Sequence, residues 1–580
     1  MAGTKLPPID MRQKRLALVA IVLALLISAC DSSTSAEPTI AGATGSQATD
    51  LSTADLSNDA LFAPTPPVLD IEIQPGELNF TWNNVITATR TSLYAYDSVT
   101  GNEWLVSDAI SAEDTQYDVA TVSHELPWHS RQYRIEQCDV DDCVSSLRVG
   151  LSGRAIDSIQ TLTPVVSLSA EAFGQSVAIN DNGTVAAIAE PLAGSVTISV
   201  RVHNDWSLSS SIDISDVISS TRKLDIAMST NGDTIAVLSN ETDISENNDN
   251  ANPRSITKPR LLILERLGET WFITKELDIS AFIGTASDTN VASGENTVES
   301  VTLDQTGLYL SANGERALLS TPESLVLFTE LAGSWQPSIL INALPSQHLV
   351  TSLGVSRSLD RIHFASIDAA GVSIQGLQII ANESFVTQLY SLPQLTPTSD
   401  IQLASSASGD KFVVLAWENR GDSRLIPVAW QYQSHIEGIE GIEGIEGITD
   451  DNAAAMPVLQ LDIERSGRFK QASDNATLQL AANHDLSTII FAWQSLADSD
   501  AALTSVIAEN NASDSRQAWQ HALELPQSAP GFAKSAFVEH LALSQDGKVL
   551  MVSVPREHGR AVSEALNTIH VNTGQILVLQ

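Results

Sequence analysis

Residues 173–188 read FGQSVAINDNGTVAAI, in which two apolar segments flank the polar turn NDNG. Asn-Gly and Asp-Gly pairs turn the chain readily because glycine adopts positive φ without steric cost. The stretch therefore predicts a strand, a tight turn and a second strand. Similar stretches recur at residues 224–238, 301–310, 403–415 and 541–552, and weaker copies that lack the glycine lie at 353–365 and 478–492.

Each copy is followed by another apolar segment and then by a turn that leads to an aromatic residue. We expect each aromatic to open a fourth strand; they are Trp206, Trp271, Trp335, Phe385, Phe469 and Trp519. At regular repeat spacing, aromatic residues more often pack between sheets than stack on a ligand. Four strands in a unit of about fifty residues, repeated roughly seven times over residues 155–580, predict a β-propeller.

The end of the chain indicates how this ring closes. The last copy ends at residues 574–579, which correspond to a third strand and have no fourth strand after them. We expect residues 159–170, which precede the first copy, to supply the missing strand and so remove an exposed sheet edge. Unequal spacings between copies are explained by polar insertions at about 240–258, 434–456 and 496–515.

One insertion contains a short tandem repeat. Residues 436–447 read IEGIEGIEGIEG, with glycine at every third position. This period matches neither a helix nor a strand with one buried face, and the glycines weaken either element. We interpret the segment as a tolerated loop, with recognition of a partner as the alternative.

The first repeat also carries a family resemblance. Residues 173–183, followed by Gly194-Ser195-Val196 and Trp206, resemble FG-GAP repeats of the integrin α-chain type. The resemblance extends over residues 171–580 and is strongest in the first unit. It implies a β-propeller. The Asp-x-Asp-x-Asp-Gly run that holds calcium in integrins occurs nowhere intact, so no calcium site is expected.

The N-terminus has the layout of an export signal. In residues 11–30, MRQKRLALVAIVLALLISAC, basic residues precede the apolar run Leu16–Ile27, and Ser28-Ala29 lead to Cys30. This is the tripartite order of a secretory signal, and the apolar run is short for a membrane-spanning helix. Residues 27–30 resemble the bacterial lipobox, which implies a signal peptide over residues 1–29 and a diacylglycerol on Cys30. A plain membrane anchor helix with a chance cysteine is the alternative.

The segment after Cys30 is typical of a flexible tether. Residues 30–66 are rich in Ser, Thr, Ala and Asp and nearly free of aromatic residues. Asp31 resembles the inner-membrane retention signal of enterobacterial lipoproteins. The resemblance implies a lipid-anchored protein that faces the periplasm, on the inner membrane, with the outer membrane left open.

Residues 67–150 predict a β-sandwich. Alternating segments occur at residues 78–82, 91–96 and 133–138, a partner strand begins at Val144, and Gly101 supplies a turn. About eighty residues with one strand Trp and a late Tyr are typical of such a fold.

The same region resembles a fibronectin type III domain. A proline-rich beginning (Pro64, Pro66 and Pro67) precedes Phe80-Thr81-Trp82, and residues 133–138 (YRIEQC) match the last hairpin of bacterial members. That hairpin often reads Tyr-x-Val-x-Ala-Cys-Asn-x-x-Gly-Cys, so Ile135, Gln137 and Asp142 depart from the pattern. The resemblance implies a spacer domain without chemistry of its own.

The cysteines are consistent with this interpretation. If Cys30 carries lipid, Cys138 and Cys143 remain as an even pair in an oxidising compartment and predict a disulfide. The alternative is a metal site, given Asp139, Asp141 and Asp142 between the thiols. No histidine or second cysteine pair completes such a site, so we expect no metal.

Composition narrows the functional classes. The 580 residues include 31 basic and 70 acidic side chains, for a formal charge of −39, which argues against nucleic-acid binding. The eleven histidines form no zinc pair, and neither a Gly-x-Ser-x-Gly elbow nor a phosphate loop occurs. The sequence therefore predicts no catalytic, cofactor-binding or metal-binding residues and no cofactor.

Three functions remain open. The first is a membrane-tethered envelope lipoprotein whose propeller is a scaffold that binds a ligand or an envelope protein. The second is a propeller enzyme, such as a quinone-cofactor dehydrogenase or a lyase, which would need convergent His, Arg or carboxylate residues where the strands enter the central channel. The third is a structural component of an envelope assembly.

Overall fold

The computed structural model describes most of the chain from residue 65 onward. The described residues are 65–84, 88–140, 142–152, 154–164, 173–217, 221–244, 255–282, 306–342, 348–350, 352–368, 371–380, 383–392, 401–419, 425–433, 459–462, 477–494, 501–509, 518–525, 538, 540–554 and 575–580. Their regular structure consists of strands and short 3-10 helices, so the protein is all-β. Cys30, the proposed tether and residues 436–447 lie outside the described residues.

Two antiparallel sheets form the N-terminal part of this region. Their strands are β1 (Leu69–Gln74), β2 (Glu77–Trp82), β3 (Arg90–Asp97), β4 (Glu103–Ile110), β5 (Gln116–Ala120), β6 (Arg131–Cys138), β7 (Cys143–Ser145) and β8 (Val149–Gly150). One sheet has the order β1-β2-β5 and the other β4-β3-β6-β7, with β8 also paired to β6. Inward-facing residues of both sheets share one core, in which the rings of Phe80 and Tyr133 meet edge to face at 4.9 Å.

The rest of the described chain forms seven further sheets. A short strand, β9 (Ile159–Leu162), precedes them. The first three sheets contain β10 (Val177–Ile179), β11 (Val185–Glu190), β12 (Ser195–Val202) and β13 (Asp205–Asp213); β14 (Thr221–Met228), β15 (Thr234–Ile244), β16 (Ser255–Leu267) and β17 (Thr270–Asp278); and β18 (Gly307–Leu310), β19 (Arg316–Ser320), β20 (Ser324–Leu331) and β21 (Ser334–Asn342).

The remaining four sheets continue the same series. They contain β22 (His348–Leu349), β23 (Gly354–Val355), β24 (Arg361–Asp368), β25 (Gly371–Ile380) and β26 (Glu383–Leu392); β27 (Gln402–Ser405), β28 (Lys411–Asn419), β29 (Leu425–Gln433) and β30 (Leu459–Asp462); β31 (Thr477–Ala482), β32 (Thr488–Gln494), β33 (Ala501–Glu509) and β34 (Ala518–Leu525); and β35 (His540–Leu543), β36 (Leu550–Val554) and β37 (Gln575–Leu579).

Within each of these sheets the strands are antiparallel and follow chain order. The seventh sheet differs, because its fourth strand comes from the N-terminal side. Its order is β35-β36-β37-β9, with Thr161 opposite Leu577 and Ile159 opposite Leu579. The chain therefore enters and leaves this region through a single sheet.

A circle of backbone hydrogen bonds joins the turns that follow the first strands. In each link, an N–H of one turn donates to a carbonyl of the next turn, over 2.7 to 3.2 Å. The links run from Asp181 to Thr230, Thr230 to Ala312, Ala312 to Arg357, Arg357 to Ala407, Ala407 to His484, His484 to Gln545, and Asp546 back to Asp181. Because the circle closes on itself, the first strands surround a common axis, and this part of the described chain is a β-propeller.

The seven turns share one local structure. Each starts with a Ser or Asn whose side chain accepts a hydrogen bond from the backbone N–H five residues later; these residues are Asn180, Ser229, Ser311, Ser356, Ser406, Asn483 and Ser544. Three residues after it, the chain has positive φ. Glycine takes this position in five turns, and Leu359 (φ 55°) and Leu486 (φ 62°) take it in the weaker copies. Both leucine side chains are fully buried, so packing compensates for the strained backbone.

Some sequence expectations about the outer strands need correction. Residues 501–509, expected within a polar insertion, form β33 and pair with β32 and β34. Residues 240–244 and 255–258 also belong to paired strands instead of an insertion. The fourth strand of the fifth sheet is β30, which ends before Phe469, and Phe469 lies outside the described residues. The alternation in these segments was too weak to stand out beside their polar flanks.

Of the aromatic residues expected to open fourth strands, some are buried and others are exposed. Trp206 and Trp335 are 3% and 6% exposed and lie in hydrophobic clusters between neighbouring sheets. Phe385 is 40% exposed. Packing therefore accounts for the first two residues and does not account for Phe385.

The N-terminal sheets pack against the sixth and seventh propeller sheets. A 3-10 helix, Ser123–Glu125, makes the polar contacts: the Ser123 N–H and hydroxyl donate to the Gln580 carbonyl at 2.9 and 2.6 Å. His124 Nε2 lies 2.7 Å from the Gly547 carbonyl, and Thr488 Oγ1 donates to Glu125 at 2.9 Å. We call these contacts the latch. They lie at the turns that form the hydrogen-bonded circle, on one end of the channel.

Candidate binding site at the channel mouth

The inner strands carry a second ring of equivalent positions, four residues before the Ser or Asn that starts each turn. We call these the mouth positions; they are occupied by Ser176, Asp225, Gly307, Ser352, Gln402, Gln479 and His540. Six of the seven residues are polar. Since every strand runs from the mouth position to its turn, this ring lies towards the end of the channel opposite the circle.

Between the mouth and the circle, two residues closer to each turn, the side chains are small. Six positions hold Ala178, Ala227, Gly354, Ala404, Ala481 and Ala542, whereas the third sheet places Tyr309 there. Alanine and glycine bring no hydrogen-bonding groups of their own, so polar side-chain chemistry at this level comes from Tyr309.

Ser176 and Asp225 join the first and second sheets. The Ser176 hydroxyl donates to Asp225 Oδ1 at 2.9 Å, and the Ile226 N–H contacts the same Asp225 oxygen at 3.0 Å. The Ile226 N–H also lies 3.2 Å from Ser176 Oγ. These bonds fix one carboxylate oxygen of Asp225 within the fold.

Tyr309 joins the third and fourth sheets. Its hydroxyl accepts a hydrogen bond from the Leu353 N–H at 2.7 Å and also bonds the Ser352 side chain. Burial raises the pKa of Tyr309 well above its usual value, and the charge of Asp225 raises it further. The phenol is therefore neutral, and Asp225 acts on it electrostatically.

His540 brings the seventh sheet into the same cluster. Its Nδ1 atom is buried, and no described residue lies within hydrogen-bond distance of that atom. Burial lowers the pKa of His540; the Asp225 charge opposes this shift and the Lys223 charge adds to it. The imidazole is thus neutral at pH 7 and has hydrogen-bonding capacity that the described residues do not use.

Two charges of opposite sign act on His540 at the mouth. Asp225 and Lys223 are the two charged residues that act on His540, and Asp225 also acts on Tyr309. Around them are hydroxyl, amide and neutral imidazole groups. Such a mixture favours oriented hydrogen bonding to a small molecule over strong attraction of one sign of charge.

The opposite end of the channel has a different construction. There the circle is built from backbone groups, and Arg357 forms an ion pair with Asp181, which belongs to a turn three sheets away. His484 Nδ1 lies 2.7 Å from the Gln545 carbonyl. The polar side chains described at this end therefore pair with one another or with backbone groups of the turns.

The residues singled out from sequence lie away from the mouth. Cys138 and Cys143 form a disulfide that joins β6 to β7, with their Cα atoms 4.0 Å apart. Glu136 lies beside the two sulfur atoms. Because both thiols are used in the disulfide, they do not present thiolate ligands in this structure.

Sequence reasoning missed Ser176, Asp225, Tyr309 and His540. The strands had been aligned on their glycines, which two of the seven turns lack. Alignment on the Ser or Asn that starts each turn places polar residues in register four positions earlier, in strands whose neighbours are apolar. That pattern was the available signal.

Comparisons with known proteins give no family. No protein-family model matches the chain, and no curated protein matches it. Among solved structures, the β-propeller domain of Myceliophteria thermophila Cps50 (Swd1) is 9% identical, with a TM-score of 0.41, and covers 72% of this chain and 98% of its own. Kuenenia stuttgartiensis hydrazine synthase is 8% identical, with a TM-score of 0.38, and covers 67% and 94%.

A third similar structure is the periplasmic gluconolactonase PpgL of Pseudomonas aeruginosa. It is 11% identical, with a TM-score of 0.32, and covers 66% of this chain and 95% of its own. Within the part of the chain that the structure describes, no helix is both long and apolar enough to cross a membrane.

Proposed function

We propose that this protein is an exported envelope lipoprotein whose propeller binds a small polar ligand at the channel mouth. The observation that carries the binding function is the convergence of Ser176, Asp225, Tyr309 and His540 from four sheets, with a buried, unused nitrogen on His540. Ser176 has an equivalent in Ser352, since each accepts a hydrogen bond from an N–H of the next sheet, whereas Asp225, Tyr309 and His540 each stand at their position in one repeat. That is the arrangement expected of a site and not of the scaffold alone.

The proposed localisation of the protein rests on its N-terminal sequence. Cys30 would carry the lipid after removal of residues 1–29, and residues 30–66 would hold the folded part away from the membrane. Asp31 favours the inner membrane, with the protein facing the periplasm. An envelope protein would be the partner of the scaffold surface, and the negative charge argues against nucleic acid.

The finer description of the fold belongs to the same proposal. We regard the seven sheets as the blades of one seven-bladed ring of FG-GAP-type repeats, closed by residues 159–170 as far as they form β9. Residues 67–150 would be a fibronectin type III-like spacer. The latch supports this role, because it places the spacer at the circle end and leaves the mouth positions outside its contacts.

Enzymatic activity is a second candidate that one observation favours. The Asp225 carboxylate acts electrostatically on the His540 imidazole and on the Tyr309 phenol, and groups of these types can transfer protons. If the protein is an enzyme, His540→Gln should abolish turnover of the bound compound and retain most of its binding.

The binding proposal is tested with the full-length protein in detergent micelles. Small polar compounds are titrated against the wild type and against Asp225→Asn, with thermal melting and calorimetry as readouts. Asp233→Asn is the matched control, since this carboxylate lies in a turn at the circle end. Loss of binding in Asp225→Asn with retention in Asp233→Asn is expected. Equal binding by both variants would exclude the mouth.

The anchor is tested separately. Cells that express the protein are labelled with radioactive palmitate, and the labelled protein is recovered from the membrane fraction. Cys30→Ala should remove the label and release the protein, whereas a Cys138→Ala, Cys143→Ala double variant should keep both. Labelling that persists in Cys30→Ala would exclude the lipoprotein assignment.

A further inference from the structure

We propose that the disulfide between Cys138 and Cys143 is a thiol-exchange site, at which a dithiol reductant attacks Cys143. The first step joins the attacking sulfur to Sγ of Cys143 and releases Cys138 as a thiolate. The second thiol of the reductant then displaces Cys143 and leaves within a disulfide of its own, so the protein gains two electrons and two protons. This inference goes beyond the ligand binding proposed above and does not depend on it.

The two cysteines differ in their access to solvent. Cys138 ends β6 and is 5% exposed, whereas Cys143 is exposed and begins β7, which lies at the edge of its sheet. Exchange starts where an attacking thiolate can reach a sulfur atom, which favours Cys143 as the target. A negative charge left on Cys143 would also stand beside the exposed carboxylate of Asp142, the preceding residue. Cys143 is therefore better placed to be attacked than to be released.

The surroundings of Cys138 favour it as the leaving group. Nη2 of Arg90, which is opposite Cys138 in the pairing of β3 with β6, lies 3.5 Å from Cys138 Sγ. When the sulfur–sulfur bond breaks, this guanidinium stabilises the thiolate through a charge-assisted contact. Oε1 of Glu136 lies 4.0 Å from the same sulfur, but the Glu136 carboxylate forms an ion pair with Arg134 at 2.9 Å, which offsets its charge.

The hairpin that carries the disulfide is also closed by hydrogen bonds. The Asp139 N–H donates to the Asp142 carbonyl at 3.0 Å, and the Asp142 N–H donates to Asp139 Oδ1 at 2.8 Å. Just beyond β7, the Ser146 N–H donates to the Ile135 carbonyl at 2.8 Å. A disulfide between residues only 5 positions apart constrains the unfolded chain less than one that closes a long loop. Reduction should therefore leave the hairpin folded, with two thiols on it.

The first experiment locates the attacked sulfur. The full-length protein in detergent micelles is treated with the monothiol β-mercaptoethanol, trapped with N-ethylmaleimide and mapped by tandem mass spectrometry of its peptides, which also separates Cys30 from the other two cysteines. We expect the mercaptoethanol adduct on Cys143 and the maleimide on Cys138. Adducts mainly on Cys138 would overturn the proposal.

The second experiment measures the part played by Arg90. Reduction by dithiothreitol is timed in the wild type, in Arg90→Gln and in the control Arg148→Gln. The Arg148 guanidinium lies over the Tyr96 ring and pairs with Glu103, and its described contacts include neither sulfur atom. We expect reduction to be about threefold slower in Arg90→Gln, because the leaving thiolate loses its cation, and unchanged in Arg148→Gln. Equal rates in Arg90→Gln and the wild type would refute this assignment.

The third experiment separates an exchange site from a purely structural disulfide. Near-ultraviolet circular dichroism and thermal melting are recorded for the oxidised protein, the reduced protein and a Cys138→Ser, Cys143→Ser double variant. We expect all three to keep the tertiary signal and to melt cooperatively, since the hairpin keeps its hydrogen bonds. Loss of the tertiary signal on reduction, and equally in the double variant, would show that the disulfide only holds the N-terminal sheets together.

Discussion

The two ends of the propeller channel are built on opposite principles. At the circle end, backbone groups make every link, and the linked residues are as different as Asp181, Thr230, Ala312 and Arg357. At the mouth, side chains from different sheets contact one another, and the residue type changes from one sheet to the next. The comparison teaches that a repeat constrains the end held by its turns and leaves the residue types at the other end free to vary.

The largest expected effect tests the turns at the circle end. Gly183 has φ of 63°, and a Cβ atom added there would lie 2.6 Å from Cγ2 of Val549, which is fully buried. Gly183→Ala therefore adds both backbone strain and a clash, and we expect a loss of about 3 to 4 kcal/mol in the free energy of unfolding. Urea denaturation measures it.

Gly333 provides the matched control for Gly183. It has φ of 80°, but an added Cβ atom would meet no other atom within 4 Å. Gly333→Ala should therefore cost about 1 kcal/mol, from backbone strain alone. Equal losses in the two variants would show that contact between the first and seventh sheets contributes nothing at this turn.

The next effect concerns the latch and depends on pH. Burial lowers the pKa of His124 from 6.5 to about 4, although its bonds to the Gly547 and Leu579 carbonyls and the Asp546 charge oppose the shift. The unfolded chain therefore takes up a proton between pH 6.5 and pH 4, and the folded protein does not. Stability falls as the pH drops through this window, by about 3 kcal/mol in total.

The His124 contribution is isolated by substitution. Besides Asp546, the charged groups around His124 in the latch are Glu125 and Lys548; burial raises the pKa of Glu125, which makes an opposite contribution at higher pH. Wild type and His124→Gln are unfolded in urea at pH 7.5 and pH 4.5, with exposed His129→Gln as control. The wild type and the control should lose more stability on acidification than His124→Gln. Parallel losses in all three would refute the role of His124.

Much of the fold could be predicted from the sequence because one local signal repeats. A turn with positive φ between two apolar segments is encoded within a few residues, as in Asn180–Gly183, and it located the inner strands of every sheet except the third. In the third copy, residues 301–310 were expected to hold both strands and the turn, whereas Gly307 begins β18 and the turn follows at Ser311–Gly314. The outer strands were less clear. β33 and the outer part of the hairpin of β15 and β16 mix polar with apolar residues, so their pairing depends on neighbouring strands that the local sequence does not specify.

The site could not be predicted in the same way. Asp225 and His540 are separated by 315 positions in the sequence, and only closure of the ring brings the second and seventh sheets near one another. An aspartate is most often a surface residue and a histidine is intermediate in burial, so neither residue alone signals a site. The turn-starting Ser and Asn residues would have aligned these positions, but their role becomes visible only through the hydrogen bonds that they accept.

A smaller effect is expected at the mouth itself. Tyr309→Phe removes the acceptor of the Leu353 N–H bond and leaves that group unpaired between the third and fourth sheets. We expect a loss of about 1 to 2 kcal/mol in urea unfolding. Tyr94→Phe is the control, because its hydroxyl makes a longer bond of 3.3 Å to Glu136 on the outer face of the N-terminal sheets. A larger loss of unfolding free energy in Tyr94→Phe than in Tyr309→Phe would contradict the stabilising role assigned to the Tyr309 hydroxyl.

The smallest effect returns to the circle. Arg357→Ala removes the ion pair with Asp181, but it keeps the backbone N–H that donates to Ala407 and the carbonyl that accepts from Ala312. The Arg357 side chain is 41% exposed, so we expect a loss below about 1 kcal/mol, diminished further by added salt. Arg357→Lys should behave like the wild type. A loss of several kcal/mol in Arg357→Ala would mean that side chains hold the circle, and the contrast between the two ends of the channel would disappear.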